Sequence, residues 1–214
     1  LDGRQGYGFQ FWRNRLAGYR ADGAFGQFCI VLPQQDAVVV ITSALPVAQL
    51  ALDLVWQHLL PAFGDSPLPS VERPLVGSLG DALAALTLPT IAGAATSPTA
   101  HRVAGIRFSF DDPKISSVTL EPGVLTITRE GRVDRGTPLA FGYGKWMESA
   151  DARVRASGAW VSPETLVIRA HNIGTPFSRT YTLAFTTDAL SIDITQNVAF
   201  GDLPHTHAVS TGRG

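Results

Sequence analysis

Two apolar runs constrain this chain most. Phe28–Leu32 and Ala37–Thr42 are each too short for a helix, and only Pro33 and Gln34-Gln35-Asp36 separate them. Continuous apolar runs of that length read as strands covered on both faces. So short a connection makes the pair an antiparallel hairpin. From Pro46 the period changes, with Ala48, Leu52, Val55, Trp56 and Leu59 recurring along one face of an amphipathic helix. Pro46 suits the start of that helix and Pro61 its end. His58 points off the stripe and reads as a solvated helix residue. One helix covers one face of a sheet, so the second apolar face expects cover from another segment.

Ahead of the hairpin, Tyr7, Phe9 and Phe11 alternate with Gly8, Gln10 and Trp12, the period of a strand with one buried face. That strand ends at Arg13-Asn14-Arg15 and turns at Leu16-Ala17-Gly18. A glycine-punctuated stretch, Gly18–Gln27, then leads into the first apolar run. Gly23 and Gly26 bracket Ala24 and Phe25, so main-chain N–H groups lie beside little side-chain bulk, where a polar reacting atom can approach. The same spacing also fits a β-bulge packed against a neighbour.

In this order and spacing, residues 5–62 resemble the last part of the catalytic domain of the serine hydrolases that comprise class C β-lactamases, penicillin-binding proteins and related esterases. In that family a strand carrying Lys-Thr-Gly or His-x-Gly leads through a glycine-rich run to a buried strand ending in Pro. A turn, a last apolar strand and a closing helix follow. The corresponding pieces here are Ala21-Asp22-Gly23, Ala24-Phe25-Gly26-Gln27, Phe28–Leu32 with Pro33, Gln34-Gln35-Asp36, Ala37–Thr42 and the helix from about Val47 to Leu60.

The resemblance implies roles for particular residues. Ala21 stands where Lys or His is expected, Asp22 where Thr is, and Gly23 on the glycine. The Ala24 backbone N–H would form half of an oxyanion hole, the other half being the nucleophile's own N–H. Arg20, Ala21, Asp22, Gly23 and Gln27 would line the substrate side of the cleft. Two departures bear on the substrate. Alanine at 21 cannot hold a substrate carboxylate, and Arg20 substitutes only if a bulge shifts the register, since neighbours on a strand face opposite ways. Asp22 adds a negative charge. With these departures the resemblance implies neutral or cationic esters or amides rather than penicillin-like acids.

The family's nucleophile motif, Ser-x-x-Lys, is missing, because neither Lys114 nor Lys145 follows a serine at that spacing. Tyr-x-Asn is missing as well. The resemblance therefore implies the C-terminal portion of a hydrolase whose N-terminal catalytic segment lies elsewhere, with a small acyl substrate, no cofactor and a periplasmic or secreted location. The chain begins with Leu1 rather than Met, as expected of a fragment, a processed product or a truncated sequence.

Charge and composition remove other classes. Charged residues are 16% of the 214, and the net charge is -1, which leaves no footprint for nucleic acid or a polybasic membrane surface. No apolar run approaches the roughly eighteen residues of a membrane span. The single cysteine, Cys29, allows no intrachain disulfide and reads as a small buried hydrophobe.

Residues 63–100 read as a linker, rich in breakers at Gly64–Ser70, with a short helix from Ser78 to Leu88 capped by Ser78. Ile91–Thr99 reads as a surface strip. Residues 101–214 form a β-rich accessory domain of about eight short strands with turn signals between them, an antiparallel curved sheet or open barrel. Its strands begin near Val103, Val118 and Leu125 and continue at 138–143, 154–160, 166–170, 180–186 and 190–194. His205-x-His207 offers alternating imidazoles suited to chelation or, more simply, to a solvated tail. Asp111-Asp112, Glu148 and Asp151 flank turns. The expectation is an α+β chain: the end of a β-lactamase-like antiparallel sheet with its closing helix over 1–62, a linker over 63–100 and the β-rich domain over 101–214. The rival is a non-catalytic β-barrel binding or structural module.

Overall fold

The structure is a computed structural model that describes residues 1–64, 73–129, 136 and 138–214. The chain divides into two units, Leu1–Leu88 and Pro89–Gly214. The expected linker stretch Asp65–Ser70 falls outside the described residues.

The first unit is a five-stranded antiparallel sheet in chain order: β1 (Tyr7–Gly8), β2 (Phe11–Arg13), β3 (Tyr19–Gly23), β4 (Gln27–Leu32) and β5 (Ala37–Ile41). The single strand expected over 7–12 is instead a hairpin, because Phe9 and Gln10 both take positive φ, 51° and 67°. A two-residue turn of that hand matches the twist of the flanking strands but normally selects Gly or Asn, so the sequence carried no turn signal there. Tyr7 faces Trp12 across it, ring centroids 4.7 Å apart.

Helix α1 (Gln49–Leu54) runs on through a π turn (Val55–Leu59) and a 3₁₀ turn (Leu60–Ala62). Its buried Ala51, Leu52, Val55 and Trp56 pack on Phe28, Ile30 and Leu32 of β4. Burying side chains such as Leu52 and Ile30 stabilises by about 1.5–3 kcal/mol each. A fully buried carboxylate ties this layer to the N-terminus. Asp2 accepts hydrogen bonds from the Arg15 backbone N–H (2.6 Å), Gln49 Nε2 (2.8 Å) and Trp56 Nε1 (3.1 Å). Burial alone would raise its pKa, but these donors and the nearby Arg20 outweigh it and hold the carboxyl below its ordinary value. Helix α2 (Arg73–Ala84) starts earlier than expected, so Ser78 is interior to it rather than its cap. Pro74 suits a first helical turn, a signal that outweighed the serine.

In the second unit, Ser97 caps α3 (Pro98–Val103), its Oγ accepting from the Ala100 N–H at 3.1 Å. The expected surface strip is thus ordered, and the expected strand start at Val103 is the buried end of a helix. The strands are β6 (Arg107–Asp112), β7 (Ile115–Glu121), β8 (Val124–Thr128), β9 (Leu139–Ala140), β10 (Gly142–Tyr143), β11 (Met147–Glu148), β12 (Val154–Trp160), β13 (Thr165–Asn172), β14 (Ser178–Phe185), β15 (Leu190–Gln196), β16 (His205–Val209) and β17 (Gly212–Arg213). Among the described residues they make a seven-stranded sheet, β10-β12-β13-β14-β15-β16 with β11 beside β12, and a five-stranded sheet, β17-β6-β7-β8-β9.

Pairing is antiparallel except between β10 and β12, which run parallel. The chain passes from one sheet to the other at Ser210-Thr211, where the Thr211 N–H donates to the Ser109 carbonyl at 2.8 Å. The core lies between the sheets, with Phe108, Val118 and Leu125 on one side and Leu166, Ile168, Leu183 and Ile192 on the other. A β-rich α+β architecture is therefore what the chain adopts. No helix among the described residues is long and apolar enough to cross a membrane.

Candidate functional site

The two faces of the first sheet differ sharply. Alternation places Phe28, Ile30 and Leu32 under the helix, with Arg20 and Asp22 on that same face, because Arg20 pairs with Ile30 and Asp22 with Phe28. The other face carries Tyr19, Ala21 and Gly23 of β3, then Gln27, Cys29 and Val31 of β4, and Val38 and Val40 of β5. Among the described residues, no element of the first unit covers Val38, Val40 and Tyr19 on it. Val38 and Val40 are 61% and 70% exposed, and Tyr19 is 40% exposed with Phe11 edge-on beside it at 5.3 Å. Cys29 is half-buried on this face rather than enclosed.

The glycine turn joins β3 to β4 at one end of this face. Gly23 pairs with Gln27, and Ala24-Phe25-Gly26 form the loop, with Phe25 at φ 63° and Gly26 at φ 86°. Ser43 clamps it: its hydroxyl lies 2.7 Å from the Gly26 carbonyl and 2.9 Å from the Phe25 carbonyl, and its own carbonyl accepts from Gln27 Nε2. The Leu45 N–H also donates to the Phe25 carbonyl at 3.0 Å. Gly26 is favoured by its positive φ, and a Cβ there would meet Ser43 Oγ at 2.3 Å and displace that hydroxyl from the turn. Among the described residues no acceptor takes the Ala24 N–H, and Ala24 is exposed. This is an open main-chain donor in the turn that Ser43 clamps.

Of the six residues expected at the cleft, Ala21, Gly23, Ala24 and Gln27 thus gather on or beside the bare face. Arg20 and Asp22 do not. The register from β3 to β4 is continuous, without the bulge that would have turned Arg20 round. Arg20 is 2% exposed and its guanidinium is fully engaged, with Asp22 at 2.7 Å and 3.1 Å, Asn14 Oδ1 at 3.1 Å and the Arg13 carbonyl at 3.3 Å. It also lies 5.9 Å from the Phe28 ring centroid. Arg20 and Asp22 pair with one another on the helix side of the sheet, on the opposite face from Ala21 and Gly23. Ser43, which sets the turn, carried no sequence signal because its partners lie 16 to 18 residues away.

In the second unit, His205 and His207 lie on β16, not in a solvated tail. Both imidazoles meet one oxygen of Asp193 on β15, His205 Nε2 and His207 Nδ1 each at 3.0 Å. The His205 hydrogen bond foremost, against partial burial and with His207 adding to it, holds the Asp193 carboxyl below its ordinary value. Both histidines are thus engaged by the carboxylate, and among the described residues no group of three or more such side chains is arranged to hold a metal. A cavity of about 470 Å³ opens at one end of this unit, lined by residues that include Leu139, Val154, Ala170, Phe177, Arg179 and Tyr181.

Comparison with protein families, with curated proteins and with solved structures returned no match.

Proposed function

We propose that the first unit is the closing part of a serine hydrolase that resembles the class C β-lactamases and penicillin-binding proteins, acting on an ester, amide or β-lactam in the complete enzyme. The observation that carries this reading is the bare apolar sheet face with the Ala24 turn at its end. A face that exposes Val38, Val40 and Tyr19 is an unfinished core, and it suits a packed segment bearing the nucleophile. In such an enzyme a base of the nucleophile-bearing segment takes the serine proton as its oxygen attacks the acyl carbon and the carbonyl electron pair moves onto oxygen, and the same base later gives the proton to the leaving group. The Ala24 N–H and the nucleophile's own N–H then hold that oxyanion until the leaving group departs, and water releases the acyl group. One such donor contributes about 3 kcal/mol to the transition state. The described chain supplies the donor and no attacking group.

The test is to read the encoded sequence upstream. Ser-x-x-Lys and Tyr-x-Asn are expected there, and a fluorophosphonate probe is expected to label that serine in the complete protein and no serine of residues 1–214. An upstream sequence without these motifs, or stoichiometric labelling within 1–214, overturns the reading. A second reading, a non-catalytic β-barrel binding module, is favoured by the cavity of the second unit alone.

A further inference from the structure

The seven-stranded sheet presents successive cross-strand rows to the interior, and their chemistry changes from one end to the other. At the closed end, Trp160, Leu166, Leu183 and Ile192 stand side by side, all buried. The next row is Gly158, Ile168, Tyr181 and Ile194. The row after that is Ala156, Ala170, Arg179 and Gln196. Two methyl groups thus occupy positions that hold an indole and a leucine two rows away. Side-chain volume falls while polarity rises. Ala170, Tyr181, Arg179 and Gln196 of these rows line the cavity of about 470 Å³, which is within the range that takes small organic molecules.

The lining divides by chemistry. Leu139, Val154, Ala170 and Phe177 offer an apolar wall, and Tyr181, Arg179 and Gln196 offer polar groups on the same inward face as Ala170. Two charged side chains lie in this lining. Asp151 is occupied by its neighbour, accepting from the Arg153 backbone N–H at 3.1 Å with Arg153 Nε at 3.5 Å. Arg179 has no carboxylate or hydrogen-bond partner for its guanidinium among the described residues, although Ala170 beside it leaves the space open. His171, which also borders the cavity, packs against Trp146 at 4.9 Å. Its burial and the charge of Arg169 keep its pKa below the ordinary value, so it adds no positive charge at neutral pH.

We infer that this open end of the second unit binds a small amphipathic organic anion, its apolar body against Val154, Ala170 and Phe177 and its carboxylate on Arg179. A guanidinium recognises a carboxylate through paired N–H donors, a geometry that a neutral group of the same size does not repeat. The inference is independent of the acyl-transfer reading, since it uses neither the Ala24 turn nor a nucleophile.

The test is calorimetric titration of residues 1–214 with 4-phenylbutyrate and with 4-phenylbutan-1-ol, which share an apolar body and differ in charge. One saturable site is expected for the carboxylate, with the alcohol about tenfold weaker or more. Arg179→Gln should weaken the carboxylate by about tenfold and leave the alcohol unchanged, whereas Ala170→Leu should fill the wall and weaken both. Arg179 is exposed, so its variant keeps the fold even if Ala170→Leu does not, and the Arg179→Gln pair then decides. No saturable binding of the carboxylate at about 1 mM, equal affinity for the alcohol, or a carboxylate affinity unmoved by Arg179→Gln overturns the assignment. None of these measurements reads catalysis, so their failure leaves the hydrolase proposal standing, and a missing nucleophile motif upstream leaves this one.

Discussion

Asp2 shows how much of the first unit hangs on one side chain. Its carboxylate takes three donors, among them the indole N–H of the buried Trp56. Asp2→Asn keeps the shape but turns one acceptor into a donor, so that either the Arg15 N–H or the Trp56 indole N–H loses its acceptor. A loss of about 2–3 kcal/mol is expected, read as faster hydrogen exchange over residues 28–56; unchanged exchange would show that the carboxylate is not the tie. The sign of the pH dependence follows from the lowered pKa. The stabilisation is fully present above the unfolded carboxyl value of about 3.9 and disappears as pH falls through the lower folded value. The gap between wild type and Asp2→Asn is therefore expected to narrow in acid. Asp193 is also held low, but it is only half-buried beside its two exposed histidines, and Asp193→Asn is expected to cost under about 1 kcal/mol at neutral pH.

Between elements, two glycines do different work. Gly18 sits where a Cβ would come within 1.9 Å of the Val31 carbonyl oxygen, which the β3–β4 ladder holds in place. At Gly26 the clash is with the Ser43 hydroxyl, which can rotate away. Gly18→Ala is therefore expected to destabilise more than Gly26→Ala. The latter should cost about 1–3 kcal/mol, chiefly from its positive φ, and free the Phe25 and Gly26 carbonyls from Ser43. Thermal denaturation of the two variants checks the order, and equal losses would contradict it. Gly158 in β12 plays a similar part in the second unit, since a Cβ there would meet the Phe141 ring at 2.7 Å.

At the scale of the whole chain, the two units are finished to different degrees. The second encloses its core between two sheets, whereas the first covers one face of its sheet and exposes the other. Amides of β4 and β5 are expected to exchange faster than those of β13 and β14, measured on the full chain; slower exchange in β4 and β5 would mean that the bare face is not a weakness. Val38→Thr with Val40→Thr is expected to leave stability within about 0.5 kcal/mol and to reduce self-association in sedimentation, because β5 is an apolar strand at the sheet edge.

The hairpin of residues 28–41, the helix stripe Leu52, Val55 and Trp56, and most strands after residue 106 were legible because they depend on local period and turn chemistry. So was the presence of a second apolar face that the helix does not reach, which follows from counting apolar faces against helices. The turn at Phe9-Gln10, the burial of Arg20 and its pairing with Asp22, the Ser43 clamp, the strand carrying His205 and His207, and the space beside Ala170 were not. Each depends on a partner far along the chain or on which rows of a sheet come to lie side by side. Alternation states that neighbours face opposite ways, but only strand register and the seating of the helix decide which face is enclosed and which is left exposed.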